Sequence, residues 1–82
     1  MNSKYQEMEQ TDIKARLYID APLAANAVIA LPSDQMHYLL HVLRLNIGAM
    51  IGVFNGVDGE FNASISAVAK KQCSITIADQ RR

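Results

Sequence analysis

Only one cysteine, Cys73, occurs in the 82 residues of this chain. A small secreted fold compensates for its limited core with paired cysteines, so a disulfide framework is excluded and the cytosol is the expected compartment. No apolar run approaches the roughly 18 to 20 residues that a membrane-spanning helix needs. The stretch before Arg16 holds nothing resembling the apolar segment of a signal peptide. Neither a membrane role nor export is expected. An excess of one charge is missing too: eight Lys and Arg balance eight Asp and Glu. That balance lacks the basic surplus of many nucleic-acid-binding domains. It is uneven, however, because Glu7, Glu9 and Asp12 outweigh Lys4 and Lys14 in the leader, leaving six basic against five acidic side chains in the rest.

Motifs of catalysis are absent as well. There is no glycine-rich phosphate loop, no metal-binding cysteine cluster and no nucleophile elbow; Gly56-Val57-Asp58-Gly59 separates two strand-like runs and does not open a helix. Catalysis by this chain alone is not expected.

What is present suits one small folded domain. Half of the residues are apolar and 20% are charged, enough burial to offset the conformational entropy of ordering the chain. Residues 1–15 are polar and lack a sustained apolar period, so they read as a disordered or partly ordered leader outside the fold. Arg16-Leu17-Tyr18-Ile19 reads as a first strand, broken by Asp20-Ala21-Pro22, and 27–31 as a second. Pro32-Ser33-Asp34 signals a helix start, with Ser33 as cap and Asp34 at the positive end of the dipole. The helix is expected over about 34–43, with Met36, Leu39, Leu40 and Leu43 on one apolar stripe and His37, His41 and Arg44 on the next. Asn46 and Gly48 tolerate positive φ and are expected to turn the chain.

From Ala49 to Phe54 nearly every residue is apolar or glycine, as in a strand buried on both faces. After the turn at 55–59, Phe61, Ala63, Ile65 and Ala67 alternate with polar residues, and beyond Lys70-Lys71-Gln72 so do Cys73, Ile75 and Ile77. Asp79-Gln80-Arg81-Arg82 reads as the start of a linker. The sum is a mainly β fold, a small β-barrel with one short α-helix.

Several side chains admit two readings. His37 and His41 stand one helical turn apart, as metal ligands can, yet no third ligand is evident; half-buried hydrogen-bonded imidazoles or RNA contacts are the other options. Arg44 either pairs with a carboxylate to fix the helix end or binds phosphate. Lys70 and Lys71 form either a solvated turn or a phosphate-tracking pair beside Arg16. Tyr5, Tyr18 and Tyr38 are candidates for base stacking, although Tyr18, in a strand, is expected in the core. Cys73 reads as a packed small hydrophobe.

In order, Arg16-Leu17-Tyr18, His37 through Leu45 with Gly48, Phe54-Asn55-Gly56, Phe61 through Ile65 and Lys70-Lys71 resemble the N-terminal domain of the RsmE family. These are bacterial methyltransferases that form 3-methyluridine in small-subunit (16S) ribosomal RNA. The resemblance covers roughly residues 16 to 79, and its most specific part is His41-Val42-Leu43-Arg44 with Gly48. It implies a PUA-like barrel that docks ribosomal RNA, followed in the full protein by a SPOUT methyltransferase domain that binds S-adenosylmethionine and forms a homodimer. Catalytic and cofactor groups would then lie outside this chain. Arg16, His41, Arg44, Lys70 and Lys71 carry over as RNA-facing positions. The acidic leader departs from the family pattern, whose members begin close to the arginine. The competing expectations are a structural barrel that packs on a catalytic domain without holding RNA alone, and a protein-interaction adaptor.

Overall fold

The computed structural model of this chain describes residues 13–81; the leader through Asp12, with Tyr5, lies outside the described residues. Five strands form a single sheet: β1 (Arg16–Tyr18), β2 (Val28–Ala30), β3 (Met50–Phe54), β4 (Glu60–Val68) and β5 (Cys73–Gln80), in the order β1-β3-β4-β5-β2. β1 runs parallel to β3, which demands a long crossover, and β2 and α1 (Ser33–His37) lie within it. The other pairings are antiparallel. Alternation along β4 and β5 turns Phe61, Ala63, Ile65, Cys73, Ile75 and Ile77 to one face, where they bury with Ile51 and Val53 of β3 and Leu17 of β1.

The helix covers the space between the two edge strands. Leu31, just after β2, donates its N–H to Cys73 O at 2.8 Å, and Gln35 Nε2 donates to Tyr18 O at 2.7 Å. α1 thereby ties the end of β1 to the exit of β2, and Leu39 drops fully buried into the core. Met36, Leu40 and Leu43 pack around it, as the apolar stripe predicts. The architecture is the expected mainly β fold with one short helix.

Local details depart from expectation. The helix is α only through His37 and then widens into a π-helical segment, Tyr38–Val42. Leu43 N–H accordingly reaches back five residues to Tyr38 O, at 2.9 Å. Ser33 does not cap. Pro32 precedes the helix with φ −61° and ψ 158°, and no side chain bonds the first-turn amides, so the fixed proline φ sets the start. Gly48 does take a positive φ of 94°, but the second such residue in that turn is Arg44, at 59°, and not Asn46.

Ala67 is exposed although it continues the apolar alternation of β4. The register steps from Ile65↔Ile75 to Ala67↔Ser74, so Ser66 is a bulged residue and the side chains beyond it change face. Gln80 and Arg81, read as a linker start, are joined to the sheet: β5 extends to Gln80, and Arg81 N–H donates to Glu60 O at 2.6 Å.

Candidate nucleic-acid interface

The face of the sheet turned away from the core carries the first candidate residue. Parallel pairing sets Arg16 opposite Gly52 and Tyr18 opposite Phe54, and β3 in turn pairs Phe54 with Glu60. Among the described residues Glu60 is the one buried charged residue, 6% exposed. Arg16 grips its carboxylate from the side, Nε to Oε2 at 3.1 Å and Nη2 to Oε1 at 2.8 Å. Arg81 Nη1 stands 3.9 Å from the same carboxylate. Gly52 makes room for this pairing, since a Cβ there would lie 3.0 Å from Glu60 Oε2. The Arg16 side chain remains 57% exposed, and its guanidinium carbon lies 5.8 Å from the centre of the Phe54 ring.

Tyr18 meets Phe54 edge to face, with centroids 5.9 Å apart and planes at 71°. Its expected core position is corrected: Tyr18 is 52% exposed. In a three-residue edge strand only Leu17 points inward, and Arg16 and Tyr18 flank it on the outward face.

The other four candidates lie elsewhere. His41 stacks loosely on His37, centroids 5.1 Å apart, on the exposed side of the helix. Among the described residues, no group of three or more His, Cys, Asp or Glu gathers to hold a metal. Arg44 follows the π-helical segment in the left-handed conformation, and Leu45 N–H closes the turn onto Leu39 O at 2.9 Å. Its side chain is exposed and has no carboxylate partner among the described residues. Lys70 and Lys71 are exposed in the β4–β5 turn, where Ala69 N–H donates to Gln72 O at 2.7 Å.

Hydrogen bonds locate these groups relative to one another. Gly48 N–H donates to Ile65 O at 2.8 Å, joining the helix exit to the far half of β4, and Leu31 anchors the helix start beside Cys73. Lys70 and Lys71 lie in the turn that closes β4 on β5, and Arg44 lies four residues before the Gly48 contact with β4. Arg16 sits on the outward face, committed to Glu60.

A second polar cluster organises the β3–β4 turn. Asn55 Nδ2 donates to Asp58 Oδ2 at 2.8 Å and to Ala21 O at 2.9 Å, and Asn55 Oδ1 accepts the N–H groups of Val57 and Asp58. Leu23 N–H also donates to Asp58, at 3.1 Å. The Asn55 amide first, and the Leu23 amide second, hold the Asp58 carboxyl below its usual range. At the opposite end burial pushes the Cys73 thiol up.

Comparison with known proteins places this geometry in context. A family model described as RNA methyltransferase PUA domain matches residues 31–78. Ribosomal RNA small subunit methyltransferase E of Rickettsia conorii is 42% identical over 66 residues, which make up 79% of this chain and 27% of that protein. Among solved structures, Lpg2936 of Legionella pneumophila, described as a methyltransferase and bound to the cofactor SAM, superposes with a TM-score of 0.71 at 33% identity. It is matched over 78% of this chain and 26% of its own. The ribosomal RNA small subunit methyltransferase E of Neisseria gonorrhoeae shares the fold, with a TM-score of 0.66 at 23% identity over 78% of this chain and 27% of its own. The chain thus spans about a quarter of the length of these relatives.

Proposed function

This chain belongs to the RNA methyltransferase PUA domain family, and from that premise we propose that it docks ribosomal RNA for a methyltransferase whose catalytic domain lies outside it. In this reading residues 16–79 form the docking barrel, and a SPOUT domain in the same full-length protein binds S-adenosylmethionine, dimerises and forms 3-methyluridine in 16S ribosomal RNA in the cytoplasm. None of the candidate groups described above is asked to perform chemistry. Their role is to hold the RNA backbone while the catalytic domain acts.

The observation that carries this reading is Arg44. It is an exposed guanidinium without a carboxylate partner among the described residues, on a backbone that an arginine rarely adopts, and Lys70 and Lys71 are likewise exposed. Exposed cations without a carboxylate partner among the described residues suit phosphate contact, which requires fixed position but no base recognition. His41 adds a further exposed hydrogen-bond donor.

The test is binding of a labelled small-subunit rRNA helix across a salt series. Binding should weaken steeply with salt, and replacing Lys70 and Lys71 by Ala should lower the salt slope by about two, one for each phosphate contact removed. Arg44→Ala should weaken binding further. Absence of binding at low salt by the folded chain overturns autonomous docking. It would favour the second reading, a barrel that shapes the RNA cleft only when packed on its catalytic partner. That alternative draws support from Arg16, whose charge is already answered within the fold by Glu60.

A further inference from the structure

Arg16 and Tyr18, both exposed and both set against the half-buried Phe54 ring, form a cluster that phosphate docking through Arg44, Lys70 and Lys71 leaves unexplained. Resting on the RNA-docking reading above, we propose that this cluster is a stacking platform for an unpaired base of the RNA.

Three observations support a base as the occupant. The first is the pair of ring surfaces: Tyr18 is half exposed and braced edge to face on Phe54, so its position is set by packing before any ligand arrives. The second is the Arg16 guanidinium, whose Nε and Nη2 are fixed by Glu60 while its Nη1 donors have no partner among the described residues. Planar guanidinium groups and aromatic rings are the surfaces on which splayed RNA bases stack, and outward N–H groups match the carbonyl acceptors on a base edge. The third is shape. Arg16, Phe54, Gly56, Val57, Gly59 and Glu60 line an open concavity of about 510 Å³, within the size range of small-ligand sites, and Val57 separates it from a second concavity that Tyr18 lines. Two glycines keep part of its wall low, and Val57, 86% exposed, offers a further apolar contact.

Charge argues for a base over a bare phosphate. Arg16 and Arg81 share the Glu60 carboxylate, and the exposed Asp20 lies beside Tyr18 along the neighbouring loop, so these two positive and two negative charges cancel. A phosphate would gain little net attraction there, whereas a neutral ring gains the π faces and the Nη1 donors. The outward face of β1 would thus take an unpaired nucleotide, while Arg44, Lys70 and Lys71 take backbone.

Binding of a labelled single-stranded oligouridylate and of an RNA duplex to the whole chain tests this. Tyr18→Ala, at an exposed position, should weaken single-strand binding roughly fivefold to a hundredfold, the span of one lost base stack. It should leave the salt slope unchanged, because no phosphate contact is removed. Tyr18→Phe should restore binding, and duplex affinity should be indifferent to both. The Lys70/Lys71 double variant should do the reverse, lowering the salt slope on both probes. Single-strand affinity unchanged in Tyr18→Ala, with the lysine variant still impaired, overturns the platform alone and assigns the exposed rings to a protein contact. Loss of all RNA binding by the folded wild-type chain removes the docking reading and the platform with it.

Discussion

Arg16 and Glu60 are joined by two hydrogen bonds, of 2.8 and 3.1 Å, although they stand 44 positions apart in the chain. The bond ties edge strand β1 to the first residue of β4, across β3. A buried carboxylate loses hydration, and a bidentate guanidinium replaces it with the geometry that carboxylates match best. Arg16→Ala should therefore cost about 2 kcal/mol, less than a fully buried pair because the arginine is more than half exposed. Glu60→Ala should lose a similar amount, and the double variant less than the sum, which urea unfolding of the four proteins would measure. Purely additive losses would show that the pair contributes no coupling.

Gly52 enters the same cluster for steric reasons. A Cβ added there would stand 3.0 Å from Glu60 Oε2 and 3.5 Å from the Arg16 side chain. Gly52→Ala should destabilise the fold by about 1 to 2 kcal/mol, the usual cost of overpacking. The loss should shrink when Glu60 is also Ala, because the clashing oxygen is gone. Equal losses in both backgrounds, read from unfolding midpoints, would place the strain in the backbone instead.

Asp58 predicts a pH dependence. Hydrogen bonds from Asn55 and Leu23 hold its folded pKa below the ordinary 3.8, so the folded state keeps the proton off more readily than the unfolded chain. Its contribution is fully present above the unfolded value and is lost as pH falls through the folded one. Unfolding midpoints collected from pH 5 down to pH 2 should drop more steeply for the wild type than for Asp58→Asn. Carboxyl titration by NMR should give Asp58 a midpoint below 3.8. Parallel acid limbs in the two proteins would remove this turn from the acid sensitivity of the fold.

The Cys73 thiol should be inert in the folded chain. It is fully buried on the core face of β5, in line with Ile75 and Ile77, and burial raises its pKa above 9.0, so thiolate is scarce and inaccessible at neutral pH. Modification by iodoacetamide at pH 8 should proceed only at the rate of opening and should accelerate in urea in step with unfolding. As pH rises, the unfolded chain ionises this thiol first, so its contribution to stability falls through the alkaline range. Rapid labelling without unfolding would contradict a closed core here.

Much of this was legible along the chain because regular periods leave regular marks. The period of two in Phe61-Ala63-Ile65 and Cys73-Ile75-Ile77 predicts the β4–β5 hairpin and its buried face, and the helical spacing of Met36, Leu39, Leu40 and Leu43 predicts the face that packs inward. What escaped depends on distant or single-residue events. Glu60 falls in the polar phase of β4 and looks like a solvated side chain until β1 brings Arg16 alongside. Tyr18 looks like core because a three-residue strand is too short to show which phase faces out. The π widening keeps the apolar stripe nearly unchanged, and the bulge at Ser66 has no composition signal. Of the five RNA-facing candidates, sequence order alone gave no hint that Arg16 would be committed to a buried carboxylate.

Arg44 offers the clearest separation of fold from function. A left-handed arginine with φ 59° carries a steric cost of roughly 1 kcal/mol that glycine, the usual residue in such helix-ending turns, avoids. If the side chain served neither the fold nor RNA, replacing it with glycine would be harmless in every assay. If the arginine is retained for RNA, Arg44→Gly should hold or raise stability, by up to about 1 kcal/mol, and still weaken RNA binding as much as Arg44→Ala does. Urea unfolding and salt-resolved RNA binding of the two variants measure both quantities. A destabilised Arg44→Gly would show that the side chain supports the turn through packing, and unchanged RNA affinity in both variants would exclude Arg44 from the interface.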